Sequence, residues 1–93
     1  MGHVKSIFVE GLDLWFNSSD HLPPHIHARK AGHWEVRIFI LQTTSEALAH
    51  DPKWPPNVVL PARVAKALRQ EIVKNRAALL AEWEAKVFVK ETL

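Results

Sequence analysis

The chain has 93 residues, no cysteine, 47% hydrophobic and 24% charged side chains. That balance excludes a disulfide-built, collagen-like or disordered chain, and the length holds one domain core but not two. The formal charge of +2 is unevenly placed, with five Lys/Arg and six Asp/Glu in residues 1–60 against seven and four in residues 61–93, too thin a surplus to mark a nucleic-acid binder by charge alone.

Val4 to Phe16 alternates in period two, with Ile7 and Val9, then Leu12, Leu14 and Phe16, on one side if Glu10-Gly11 turns the chain. This predicts a first hairpin. Asn17-Ser18-Ser19-Asp20 is a cluster of turn formers, and Pro23-Pro24 removes two amide donors and forces Leu22 into extended geometry. His25 to Arg29 and His33 to Leu41 read as a second hairpin, the latter rich in strand-favouring Val36, Ile38, Phe39 and Ile40.

Loop length decides which side chains share a face, because a one-residue slip sends every side chain to the other side. A Lys30-Ala31-Gly32 loop with Gly32 in the left-handed region sets Ile26 and Ala28 against Val36 and Trp34. It gathers His25, His27 and Arg29 on the polar face across from Arg37, Glu35 and His33. Beyond Gln42 the pattern lapses, and Pro52, Pro55 and Pro56 predict an irregular excursion over 42–60 holding one short helical turn near Glu46 to Ala49. Pro61 suits a first helical position, and Ala65, Leu68, Ile72, Leu79, Trp83 and Val87 recur at helical spacing. Asn75-Arg76 interrupts that stripe, so residues 61–87 form either one kinked helix or two.

The expected architecture is α+β: one domain over 1–93, with a small antiparallel sheet of two hairpins at about 4–41 packed against a C-terminal helix or helix pair. The opposite sheet face is then open to solvent or to a partner. No apolar run reaches the roughly 18 to 20 residues of a membrane span, and no charged segment followed by an apolar one opens the chain. A cytoplasmic protein that does not engage a membrane is expected.

His21-Leu22-Pro23-Pro24-His25-Ile26-His27, following Gly11-Leu12-Asp13-Leu14-Trp15-Phe16, resembles the signature of the bacterial domain of unknown function 4160 family. Glu35 to Ile40 is similar to that family's amphipathic strand, and Ala67 to Asn75 with Leu79 to Trp83 is similar to its Trp-ended helical region. The resemblance covers about residues 7–85. It implies a small protein partner encoded by a neighbouring gene, of the domain of unknown function 2442 family, and a two-protein cassette of toxin-antitoxin type.

The residues themselves allow two chemistries. Two histidines two apart on a strand share a face, and His21 can fold over His25 and His27 across the Pro-Pro turn, offering three imidazoles to a divalent metal such as zinc. Without metal, His27 as base, Glu35 as its partner, His25 as acid and Arg37 as phosphate clamp are the parts of a ribonuclease that uses the 2′-hydroxyl of RNA. Against both stands a solvated sheet face whose mixed charges serve only solubility. Three functions therefore compete: an interaction component of a cassette, a metal-independent ribonuclease and a metal-dependent hydrolase.

Overall fold

A computed structural model describes residues 2–87 of the chain. Five strands form one antiparallel sheet in sequential order: β1 (Gly2–His3), β2 (Asp13–Phe16), β3 (His25–Lys30), β4 (Trp34–Phe39) and β5 (His50–Trp54). Two helices follow, α1 (Ala62–Lys74) and α2 (Arg76–Lys86). The α+β class, the antiparallel sheet and the helix pair agree with the expectation from sequence.

The first hairpin is shorter than the alternation suggested. Its turn lies where expected, with the Leu12 amide donating to the Val9 carbonyl at 3.2 Å and Gly11 at φ +84°, the positive φ that a type II turn demands at its third position. Between Val4 and Val9, however, the chain leaves the sheet. The amides of Lys5 and Ser6 donate to the Glu82 carboxylate on α2 instead of to a neighbouring strand. Val4 and Ile7 are buried on either side of that contact.

The second hairpin keeps its faces but changes its partners. His25 lies opposite Phe39, Ile26 opposite Ile38, His27 opposite Arg37, Ala28 opposite Val36 and Arg29 opposite Glu35. The loop is Ala31-Gly32-His33 rather than Lys30-Ala31-Gly32: the His33 amide donates to the Lys30 carbonyl at 2.9 Å, with Gly32 at φ +80°. Every pair therefore shifts by two residues along β4. A two-residue slip conserves parity, so the apolar and polar sets stay segregated while the expected His27–Glu35 pairing is lost.

A fifth strand falls in the segment expected to be irregular. β5 pairs with β4 through Arg37 opposite Asp51 and Ile38 opposite His50, with a bulge at Glu35/Val36. Pro52 is tolerated because β5 is the sheet edge, where a missing amide donor leaves no neighbour unpaired. The stretch from Glu46 to Ala49 is not helical. Thr43 organises it, its hydroxyl donating to the Phe39 carbonyl and accepting from the Ala49 amide.

Pro61 sits one position before α1, its carbonyl accepting from the amides of Val64 and Ala65. The break at Asn75 is a true helix boundary. Its side-chain amide donates to the Glu71 carbonyl at 3.0 Å and so closes α1 rather than capping α2. Leu68 and Ile72 of α1 and Leu79 and Trp83 of α2 bury against Leu14, Phe16, Ile26, Ala28, Val36 and Ile38 of the sheet, each full burial of a large side chain contributing about 1.5–3 kcal/mol.

Candidate functional site

With the even-numbered residues of β3 in the core, His25 and His27 emerge on the other sheet face, yet they are not solvated. Their exposures are 5% and 3%. The face expected to lie open is covered at this end by the turn from Asn17 to Pro24, which folds back over β3. The Asp20 amide donates to the Asn17 carbonyl and the Asn17 amide donates to Asp20 Oδ2, both at 3.0 Å. Two reciprocal bonds close this four-residue turn and aim the Asp20 carboxylate at the histidines.

His27 Nε2 lies 3.0 and 3.1 Å from the two Asp20 oxygens, and Asn17 Nδ2 lies 3.3 Å from the same nitrogen. Trp15, directly across on β2, stacks on the His27 ring at 5.4 Å, and the Arg29 guanidinium lies 5.2 Å from the other ring system's centre. Packing therefore fixes the imidazole plane. His27 Nδ1 is buried without a partner.

His25 carries the sharper constraint. Its Nδ1 lies 2.8 Å from the Pro23 carbonyl, and a carbonyl only accepts, so Nδ1 must hold the proton. In the neutral ring Nε2 is then a bare lone pair, and it faces Asp20 Oδ1 at 3.5 Å. Two acceptors oppose each other where the Asp20 and His25 side chains are less than a tenth exposed. A cation between them, a proton or a metal ion, turns that opposition into attraction.

Among the described residues, Asp20, His25 and His27 form the group whose ligand atoms all lie within 4.8 Å of one another. They sit in a cleft of about 180 Å³ whose wall includes His21, Pro23, Arg37, Phe39 and Lys53. His21 is exposed and contributes to the wall, outside that three-residue group. Arg37 shares the cleft, as expected. Glu35 does not line it; it faces Arg29 and Trp54.

The carboxylate that serves the histidines is therefore Asp20, which sequence reasoning treated only as a turn former. The available signal was its place immediately before His21-Leu22-Pro23-Pro24-His25, where a reversal of the chain must return it over the following strand. Lys53 was missed because β5 was.

The Pro23-Pro24 turn leading into His25-Ile26-His27, the amphipathic β4 and the C-terminal helix pair agree with the resemblance read from sequence. The chain belongs to the family described as domain of unknown function DUF4160, whose model matches residues 11–84. No curated protein and no solved structure matches the chain.

Proposed function

We propose that this protein binds one transition-metal ion of the zinc type through Asp20, His25 and His27 and uses it for hydrolysis. The observation that carries this reading is the His25 Nε2–Asp20 Oδ1 contact, two facing acceptors that a metal ion converts into two ligands. The Pro23 carbonyl holding the other nitrogen is the arrangement that orients metal-ligating histidines. Separations of 3.0 and 3.5 Å from Asp20 Oδ1 to the two imidazole nitrogens bracket the ~3.3 Å between adjacent ligands of a tetrahedral zinc site. Three protein ligands with an accessible fourth position define a catalytic zinc pattern, and such an ion supplies Lewis acidity and a more acidic water.

Zinc titration by calorimetry tests this. One ion per chain is expected, with affinity falling on acidification as protons compete for the imidazoles. At a hundredfold excess over Kd the ion should stabilise the fold by about 2.7 kcal/mol, raising the melting midpoint by roughly 10–20 °C. A His25→Ala/His27→Ala variant that retains its circular dichroism should lose the site. Absence of saturable binding by the wild type, or unchanged stoichiometry in that variant, refutes the reading.

A small protein partner from a neighbouring gene, in a cassette of toxin-antitoxin type, is a second reading. It is favoured by the outer edge of β5, where Trp54 is 54% exposed. Co-purification of the two coexpressed proteins, weakened by Trp54→Ala, is the expected result; separate elution of the two wild-type proteins would refute it.

A further inference from the structure

We infer that the cleft above Asp20, His25 and His27 takes a phosphoryl group, its oxygens held by Arg37 and Lys53 opposite the metal position; this rests on the metal reading for its third contact. The cleft's wall charges are Asp20, Arg37 and Lys53, with His21 at the rim. A divalent ion at the floor leaves a strongly positive pocket, and the uncharged remainder of the wall, the polar Asn17 and Ser19 with the apolar Leu22, Pro23 and Phe39, offers no further carboxylate to offset it. At about 180 Å³ the space is smaller than the roughly 300–1,000 Å³ of pockets that swallow whole ligands. It suits one compact charged group whose parent molecule extends into solvent.

Arg37 is poised rather than committed. Its Nη2 lies 3.7 Å from Asp51 Oδ2, with both side chains about half exposed, a long surface contact that an incoming anion can outcompete. Its Nε is buried and out of a ligand's reach, so the terminal nitrogens of this partly exposed guanidinium are the donors that an entering oxygen meets. Lys53 is exposed and has no ion-pair partner among the described residues. A planar, singly charged carboxylate satisfies the Arg fork alone. A tetrahedral group with up to two charges shared over three terminal oxygens reaches the fork, the ammonium and the metal position together.

The test measures orthophosphate binding by calorimetry to zinc-loaded and zinc-free wild-type protein, to Lys53→Ala and to Arg37→Gln, each first assayed for zinc stoichiometry. Zinc-loaded wild type should bind phosphate in preference to acetate, and each variant should keep its zinc while losing about tenfold in phosphate affinity. Lys53 is exposed, so its variant remains informative if Arg37→Gln folds poorly. Zinc binding without phosphate binding, or phosphate affinity unchanged in Lys53→Ala, overturns the inference and leaves the metal reading standing. Phosphate binding that is sensitive to Lys53 in a protein that takes up no zinc upholds the phosphoryl contact and refutes the metal reading instead. Competition of phosphate by a nucleoside 5′-monophosphate and by a short RNA then distinguishes a small phosphoester from a polynucleotide as the source of the group.

Discussion

Glu82 fastens the N-terminal segment to α2. Its carboxylate accepts from the Lys5 amide at 2.7 Å, the Ser6 amide at 2.9 Å, the Ser6 hydroxyl at 2.6 Å and Lys86 Nζ at 2.7 Å. Burial pushes this carboxyl up, but the bonds from Lys86, the Ser6 hydroxyl and the two amides outweigh it and hold its pKa at about 2 instead of 4.5. At about 1.4 kcal/mol per pH unit, discounted by roughly a third for screening of partly exposed groups, the clasp contributes about 2 kcal/mol. Because the folded pKa is depressed, this stability is fully present above pH 4.5 and is lost as pH falls toward 2. Glu82→Gln should therefore lower unfolding free energy by about 2 kcal/mol at neutral pH and by only about a quarter of that near pH 2.5. Urea titrations followed by Trp fluorescence at both pH values read the two differences. An equal loss at both pH values would show that shape, not charge, holds the segment, and a loss below about 0.5 kcal/mol at neutral pH would show that Val4 and Ile7 suffice.

Trp83→Ala should cost roughly 3–5 kcal/mol, because Trp83 is buried in the cluster joining α2 to the sheet; a thermal midpoint lowered by less than about 2 °C would place it at the periphery. Thr43→Val keeps the shape of a fully buried side chain but removes its bonds with the Phe39 carbonyl and the Ala49 amide. It should cost about 1–3 kcal/mol in urea unfolding, and an unchanged midpoint would mean that water satisfies both groups.

Much of the fold could be read from local pattern. The strand period over β2, β3 and β4, the Glu10-Gly11 turn and the helical stripe broken at Asn75 depend on neighbours in the chain and appear where expected, whereas the alternation over Val4 to Val9 does not become strand. β5 was hidden because His50-Asp51-Pro52-Lys53-Trp54 has no alternation and, apart from Trp54, no strand-favouring residue. Its strand geometry comes from pairing with β4, a tertiary effect that no local propensity records. Ser6 and Glu82 illustrate the same limit, since a contact across 76 positions leaves no periodic trace.

The histidine face shows which errors parity forgives. A register wrong by two residues still placed His25, His27 and Arg37 together, because side chains two apart on a strand share a side. It misassigned the carboxylate, since Glu35 lies one pair beyond reach while Asp20 arrives from a turn outside the hairpin. That origin has a functional consequence. Both imidazoles ride on a paired central strand, one locked by Trp15 stacking and the other by the Pro23 carbonyl, whereas the third group belongs to a turn closed mainly by its own two hydrogen bonds. A metal ion would thus find two ligands fixed on the strand and a third already brought to them by the turn, and would hold the Asn17–Asp20 turn more firmly to β3. Hydrogen exchange at the Asn17 and Asp20 amides should consequently slow on zinc addition while the β3 amides change little. Equal slowing throughout β3 would mean that the ion orders the whole strand and that the imidazoles are not preset.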